Sequence, residues 1–266
     1  MKLGIHHNLP AAEYHAIRAL SASGLKKLAV TPAHYAHWLD NPDEQTPALR
    51  LGMLGHICVI EPDRFDRDVV VAPIVDRRTK EGKSIWEQFQ GANVGKEIIT
   101  HDEREQLLAM RHAVRAHPAA AKLLTGGAAE VSLFANDERG AYCKARYDYL
   151  TETAIVDLKT TEDASPAGFA RSLANYKYNL QAAHYRAMAK AVGLGDLRFV
   201  FVAVEKSAPH AVACYELDAA DLILAENERQ ALLALHSTCS DFKTWPAYSR
   251  EVETITLPNW AKVKAA

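Results

Sequence analysis

Two strand-like runs joined by a short polar turn limit the possible fold of this chain more than any other feature. Residues 144–150 and 154–160 are rich in β-branched and aromatic side chains, and Thr151-Glu152-Thr153 separates them. This composition and spacing are typical of a β-hairpin. The chain must therefore build a sheet that contains this hairpin.

Alternation along the second strand decides where its side chains point. Because successive residues of a strand face opposite sides of the sheet, Asp157 and Lys159 share one face and Leu158 points into the layer behind. Pairing across the hairpin brings Asp148, on the first strand, alongside them. The pattern thus predicts two carboxylates and one ammonium group in a small volume.

Such a cluster suits the hydrolysis of phosphodiesters. Two carboxylates can hold Mg²⁺, which keeps several waters and binds substrate phosphate in its open positions. The ion acidifies a bound water, and a neighbouring lysine can orient that water or stabilise the transition state. The alternative is an Asp/Lys ladder on the surface of an edge strand, which is a common arrangement.

Four further residues strengthen the functional interpretation. Glu130 interrupts an apolar, strand-like run at residues 129–134, and Gln181 and Tyr185 share one face of a helix that begins near Tyr178. His56 lies on an apolar helix that runs towards Ile60. A lone histidine on such a helix is more often a packed core residue, so its role depends on the other residues.

The order His, Glu, Asp, Asp-x-Lys, Gln-x-x-x-Tyr resembles the PD-(D/E)xK nucleases, specifically their RecB-like branch. Within that branch the chain is most similar to the C-terminal nuclease domain of RecE-type exonuclease VIII. The resemblance covers roughly residues 18–190. The segments that carry it are Leu20-Ser21-Ala22-Ser23-Gly24-Leu25-Lys26, Thr31-Pro32-Ala33-His34-Tyr35, Leu51-Gly52 with Gly55-His56 and Glu61-Pro62, Ile155-Val156-Asp157-Leu158-Lys159-Thr160-Thr161, and Tyr178-Asn179-Leu180-Gln181-Ala182-Ala183-His184-Tyr185.

The resemblance assigns roles to individual residues. It implies a metal site formed by His56, Asp148, Asp157 and the backbone carbonyl of Leu158. It implies that Lys159 is the catalytic lysine and that Glu130 is an acid near the metal. Gln181 and Tyr185 match the helix that supports the site and meets the DNA backbone. The chain departs from the family signature before Asp148, where Tyr147 stands in place of a proline.

The same resemblance implies a function. A Mg²⁺-dependent exonuclease, in which Mn²⁺ can substitute, would degrade one strand of double-stranded DNA from its 5′ end and leave a 3′ single strand. That strand would pass to a RecT-like annealing protein, and the enzyme would form a homo-oligomeric ring, a tetramer or alternatively a trimer. Two alternatives stay open: a structure-specific or restriction-like endonuclease, and a catalytically inactive DNA-binding or assembly module.

Charge gives no global signal for nucleic acid, because the formal net charge is −2. Any attraction for DNA must therefore be local. We expect Arg77, Arg78 and Lys83, in a basic loop, and Arg50, beside the helix of His56, to bind DNA phosphates. Lys26-Lys27 adds further positive charge. The alternative is that these are ordinary solvated charges.

The overall layout predicts one nuclease domain, residues 1–266, of the α/β class. Its expected fold is a restriction-endonuclease-like mixed sheet flanked by helices, with an N-terminal helical extension. Residues 1–125 form the mainly helical part that carries His56, residues 126–245 the catalytic core, and residues 246–266 a C-terminal tail. A strand–helix–strand order after the hairpin predicts a parallel neighbour for its second strand.

The chain has no apolar run of about 18 residues and no secretory signal pattern, so no membrane association is expected and the cytoplasm is the default location. Its four cysteines lie far apart in the sequence, which favours reduced packing thiols over disulfides, zinc or an iron–sulfur cluster.

Overall fold

Two β-sheets organise the protein, as seen in a computed structural model that describes residues 1–258. The strands, in chain order, are β1 (Gly4–His6), β2 (Val69–Val71), β3 (Glu97–Ile99), β4 (Ala128–Asn136), β5 (Tyr142–Leu150), β6 (Ala154–Thr161), β7 (Arg198–Glu205) and β8 (Val212–Tyr215). Six of them form the main sheet in the order β1-β4-β5-β6-β7-β8, while β2 and β3 form a small parallel pair.

The helices are α1 (Ala11–Ala16), α2 (Ala22–Leu28), α3 (Pro32–Asp40), α4 (Pro47–Ile60), α5 (Pro62–Asp68), α6 (Lys80–Ala92), α7 (His101–Ala116), α8 (Pro118–Leu123), α9 (Pro166–Asn175), α10 (Tyr178–Ala191) and α11 (Ala219–Phe242). Several begin where a side-chain oxygen accepts a backbone N–H of the first turn. Thr100 and Glu103 form a reciprocal capping box, in which the side chain of each accepts the backbone N–H of the other, and the Asp218 side chain caps α11.

The hairpin that the sequence predicts is confirmed. Strands β5 and β6 are antiparallel, and β6 pairs in parallel with β7 over eight residues. The connection from β6 to β7 contains two helices, α9 and α10, rather than the single helix that the sequence indicates. Since one strand pair is parallel and the others are antiparallel, the sheet is mixed, as expected.

Both faces of the main sheet are buried, because its strands alternate apolar side chains between two layers. On one face Tyr147 and Phe201 pack against side chains of α2, α10 and α11. On the other face Val156 and Leu158 pack against side chains of α4 and α7. The predicted class, a helix-flanked mixed sheet, is therefore confirmed. The four cysteines are free, and three of them are buried.

The segment from β2 through α6 to β3, called the projecting segment, packs on this body through its two strands and leaves α6 mostly exposed. Its base is fixed by Ile99, which is buried with Leu54 and Leu107. Gly82 is the one buried residue of α6. The sequence predicts a basic loop up to Lys83, but this is wrong at its end: Thr79 caps a helix that starts at Lys80, so Lys83 lies on α6.

Both ends of the chain add details that the sequence does not indicate. Strand β1 pairs with β4 and extends the main sheet, although it lies in the part expected to be helical. Trp245 packs against the core, and residues 246–258 contain no helix or strand. The remainder of the predicted tail, residues 259–266, lies outside the described residues. Among residues 1–258, no helix combines the length and apolar character needed to cross a membrane.

Candidate active site

Three acidic residues lie side by side on three adjacent strands of the main sheet. The registered pairs on either side place Glu130 of β4 opposite Asp148 of β5. The register of β5 with β6, continued by one residue, places Asp157 on the other side of Asp148. The sequence predicted this proximity for the two aspartates from the hairpin alone, and the structure adds the glutamate to the same row.

The sheet opens where these acids meet. Only two registered pairs join β5 to β6 near the turn, although both strands continue well beyond them. Oδ2 of Asp148 reaches into the gap and accepts the backbone N–H of Leu158 at 2.8 Å. Because the N–H and C=O of one strand residue point to the same side, the carbonyl of Leu158 also faces this opening.

Glu130 occupies an unusual backbone conformation. Its φ of 54° is left-handed, which a residue with a Cβ adopts at a cost of about 1–2 kcal/mol. Its carboxylate contacts the guanidinium of Arg146, which also donates to the carbonyl of Leu9 and the hydroxyl of Ser132. Burial and the nearby charge of Asp148 raise the pKa of Glu130, against the opposing effect of Arg146. Strain of this kind is found most often at functional sites.

His56 reaches the acids from α4. A Cβ on Gly55 would lie 3.2 Å from the Thr160 side chain, so glycine lets this helix approach β6 closely. Nδ1 of His56 lies 3.2 Å from Oδ2 of Asp148. Burial by itself would lower the pKa of His56, but the Asp148 carboxylate raises it overall. In return, the pKa of Asp148 is lowered despite its burial, since His56 and Lys159 stabilise the carboxylate.

Asp157 is held by two side chains. Only 1% of its side chain is exposed, its Oδ1 accepts the amide N–H of Gln181 at 2.7 Å, and its Oδ2 contacts the Lys159 ammonium. Burial raises the pKa of Asp157. Burial would lower the pKa of Lys159, but the carboxylates of Asp157 and Asp148 raise it. The predicted shared face of Asp157 and Lys159 therefore places them in direct contact.

The predicted helix residue Tyr185 lies one turn beyond Gln181 on α10. Its ring packs against that of Tyr147, with 5.1 Å between the ring centres, and its backbone carbonyl accepts the Tyr147 hydroxyl at 2.7 Å. Tyr185 also lines a cavity of about 480 Å³ together with Glu130, Asp148 and Arg146. A second cleft, of about 290 Å³, lies on the Lys159 side of the site.

The donor set is suited to a divalent cation. His56, Glu130 and Asp148 each offer one ligand atom, and these atoms lie within 4.8 Å of one another. Oδ2 of Asp157 is buried and, apart from its contact with the Lys159 ammonium, has no partner in residues 1–258. Carboxylate oxygens suit Mg²⁺ or Mn²⁺, and an imidazole favours Mn²⁺. The residues present thus fit such an ion, with Glu130 closer to His56 and Asp148 than the sequence led us to expect.

Three of the residues predicted to bind DNA, Arg77, Arg78 and Lys83, lie in the projecting segment, and Arg50 lies on α4. Arg50 is engaged in the base of the projecting segment, where it donates to the Ile98 carbonyl at 2.7 Å and to Glu103 at 2.9 Å. Arg77 stacks on the ring of Trp86 at 4.2 Å, and Arg78 and Lys83 are exposed.

Arg146 is the site residue that the sequence analysis missed. Lys144, Arg146 and Asp148 alternate along β5 and therefore share one face, and this spacing could have revealed the basic partner of Glu130. Lys144 points to the same side, where its ammonium donates to the carbonyls of Tyr14 and Ile17 at 2.8 Å and 2.7 Å.

An open mixed sheet with acids on three adjacent strands and a lysine two residues after the last of them defines a protein of the PD-(D/E)xK type. Residues 21–258 match the family described as a PDDEXK-like domain of unknown function (DUF3799), and the chain belongs to that family. No curated protein matches the sequence.

A solved structure shares this architecture. The crystal structure of a "Putative exonuclease" from Eubacterium rectale is similar over 88% of each chain, with a TM-score of 0.61 and 16% identity. At such identity the likeness establishes the fold alone. An alkaline exonuclease from Laribacter hongkongensis aligns over 68% of this chain and 96% of its own, with 18% identity and a TM-score of 0.31.

Proposed function

We propose that the protein is a metal-dependent exodeoxyribonuclease that acts on the ends of double-stranded DNA. The observation that supports this most strongly is the row of Glu130, Asp148 and Asp157, flanked by His56 on one side and Lys159 on the other. Hydrolysis of a phosphodiester is accelerated by a bound cation and by a nearby group that moves a proton or stabilises charge. The acids offer the first, and Lys159 offers the second.

The chain's own residues have distinct tasks in this proposal. His56, Glu130 and Asp148 would hold Mg²⁺, with Asp157 and the Leu158 carbonyl alongside, and the ion when bound lowers the pKa of water and neutralises charge on the phosphate. Lys159 orients the attacking water and stabilises the charge that develops on the phosphoryl oxygens. Gln181 fixes Asp157, and Tyr185 borders the cavity that would admit the DNA strand.

We further propose a 5′-to-3′ direction, a 3′ single-stranded product for a RecT-like annealing protein, and a ring-shaped homo-oligomer, a tetramer or else a trimer. The resemblance to RecE-type nucleases supports these details, and the name of the Eubacterium rectale protein, an exonuclease, is consistent with end-dependent cleavage. A ring would also keep a chain of net charge −2 on its substrate by enclosure rather than by long-range attraction.

The decisive experiment compares linear, nicked and covalently closed circular duplexes in Mg²⁺, each labelled at a 5′ end where it has one. We expect linear duplex to be degraded with early release of the 5′ label, and closed circles to survive. EDTA should stop the reaction, and Mn²⁺ should restore it. Light scattering on the same preparation gives the number of subunits.

The other outcomes identify the alternatives. Closed circles cut as fast as linear duplex would replace the exonuclease with an endonuclease, and a strict monomer would remove the ring. DNA binding without hydrolysis in either ion would leave a binding or assembly module. Since the site retains His56, Asp148, Asp157 and Lys159 together, we favour turnover over that last outcome.

A further inference from the structure

We propose that Lys26 is a positioning residue of this active site. Its ammonium holds the carbonyl end of the Gln181 amide, so that the NH₂ end stays in place to donate to Asp157. This inference rests on the proposed nuclease function for its consequence in catalysis, but the geometry it predicts can be measured without DNA.

A chain of contacts joins Lys26 to the catalytic pair. Nζ of Lys26 donates to Oε1 of Gln181 at 3.4 Å, and Nε2 of Gln181 donates to Oδ1 of Asp157 at 2.7 Å. The other oxygen of Asp157 contacts Lys159. Lys26 is therefore three contacts away from the catalytic lysine, although 133 residues separate the two in sequence.

The chemistry of the three groups allows one orientation of the amide. An ammonium group has donors and no acceptor, so only the carbonyl end of Gln181 can face Lys26. An ionised carboxylate only accepts, so only the NH₂ end can face Asp157. Without Lys26, the amide loses the contact at its carbonyl end and can swing away, which leaves Asp157 with one fewer donor in a buried position, where an unsatisfied oxygen is costly.

The ring of Tyr178 links the two lysines a second time. Nζ of Lys26 lies 5.0 Å from the ring centre, and Nζ of Lys159 lies 4.7 Å from the same centre. Such contacts are attractive for a cation and are stronger where water is excluded. Lys26 is partly buried here, and burial together with the charge of Lys159 lowers its pKa to about 8.

The next residue on α2 provides a contrast. Lys27 points away from the site and pairs with Asp43 at 2.7 Å, whereas Lys26 forms no ion pair with a carboxylate anywhere in residues 1–258. A partly buried ammonium without a carboxylate partner lowers the stability of the folded protein. A purely structural position would be filled more favourably by an apolar residue, so we infer that Lys26 serves the site.

The test compares Lys26→Met with Lys26→Arg, Gln181→Met and the double variant Lys26→Met/Gln181→Met, and uses Lys27→Met as the matched control. Three quantities are measured: the affinity for Mn²⁺ without DNA, by electron paramagnetic resonance; kcat on saturating linear duplex; and the crystal structure of Lys26→Met. Thermal unfolding verifies that each variant is folded.

We expect Lys26→Met to weaken Mn²⁺ binding and lower kcat by about 10–100-fold, the usual range for partners that orient metal ligands. Lys26→Arg should keep most of both, and Lys27→Met should keep wild-type values. If Lys26 acts through the amide, the double variant should be no worse than Gln181→Met alone. In the crystal, the contact between Gln181 and Asp157 should be lost.

Wild-type Mn²⁺ affinity together with an intact Gln181–Asp157 contact in Lys26→Met would overturn the proposal, as would effects of the two single substitutions that simply add. A wild-type protein that binds Mn²⁺ but hydrolyses no DNA would refute the proposed function, and Mn²⁺ affinity and crystal geometry would still decide the role of Lys26. If the wild type binds no Mn²⁺, retention of the contact in the Lys26→Met crystal structure overturns the role, and its loss supports it.

Discussion

The row of acids in the main sheet and the projecting segment from β2 to β3 differ in how tightly their functional candidates are held. In the sheet, Asp157 has a donor on one oxygen and Lys159 on the other, and its neighbour Asp148 accepts from Leu158. In the projecting segment, Arg78 is exposed in the turn before α6, and Lys83 is exposed on α6, a helix that buries only Gly82. The side chains of the first region are thus each held by several contacts, whereas those of the second region are held by few.

This difference has a physical cause. A buried charge must find partners, so its surroundings are constrained by the cost of leaving it unpaired. An exposed charge is satisfied by water in many conformations. Substitutions in the row of acids should therefore have large and specific effects, while those in the projecting segment should have small effects that depend on salt.

The largest effect is expected at the catalytic pair. Asp157→Ala or Lys159→Met should lower the rate of DNA hydrolysis by at least about 10²–10³-fold, because each removes a group that acts on the developing charge or on the metal. Single-turnover hydrolysis of linear duplex in Mg²⁺ measures this. Lys83→Met, in the projecting segment, is the matched control and should leave the rate at saturating DNA unchanged. Near-normal hydrolysis by either site variant would show that the row of acids is not the active site.

The next effect concerns pH and the buried His184 of α10. Its Nε2 donates to the Lys144 carbonyl at 3.0 Å, while its Nδ1 is buried and has no partner in residues 1–258. Burial lowers the pKa of His184 to about 4, below its ordinary value of 6.5. The unfolded chain therefore binds more protons between pH 6.5 and pH 4, so the free energy of unfolding should fall as the pH falls through this window.

For a difference of this size the loss is about 3 kcal/mol, at 1.36 kcal/mol per pKa unit. Urea unfolding at a series of pH values measures it, and His184→Gln, which keeps a donor for the Lys144 carbonyl, should flatten the curve between pH 6.5 and pH 4. His101→Gln, on an exposed residue, should not. An unchanged slope in His184→Gln would show that this histidine is not held neutral by its burial.

Sequence reasoning succeeded where periodicity and burial act together. Asp157, Leu158 and Lys159 alternate on a buried strand, so their directions followed from the sequence alone, and the hairpin brought Asp148 to them. The parallel neighbour of β6 followed from an equally simple rule, the strand–helix–strand order after the hairpin.

It failed where a position depends on partners distant in sequence. Glu130, the partner of Arg146, has a left-handed backbone that no local pattern indicates. Strand β1 is only three residues long and gains its place from pairing with β4. Lys83 was expected in a basic loop, whereas the cap at Thr79 starts the helix before it.

A smaller effect should distinguish strain from packing at Glu130. At an ordinary strand position alanine is more stable than glycine by roughly 0.5–1 kcal/mol, but at a left-handed φ the order reverses. We therefore expect Glu130→Gly to be more stable than Glu130→Ala by about 1 kcal/mol, measured by urea unfolding. The same pair at Ser132, on the same strand, should show the ordinary order. Glu130→Ala as the more stable variant would mean that the strand relaxes to an ordinary conformation.

The smallest effect is expected in the projecting segment. If Arg78 and Lys83 each neutralise one phosphate, Arg78→Gln and Lys83→Gln should each reduce the slope of log affinity against log salt by about one, and each should cost only about 0.2–1 kcal/mol at moderate salt. Binding of duplex DNA in EDTA, from low to high salt, measures both quantities without cleavage. Lys122→Gln, an exposed lysine on α8 beside the edge strand β8, is the control and should leave the slope unchanged. If all three variants keep the slope of the wild type, the projecting segment does not contact DNA. Substrate attraction would then have to come from residues that border the acids, such as Arg146 in the cavity beside Glu130 and Asp148.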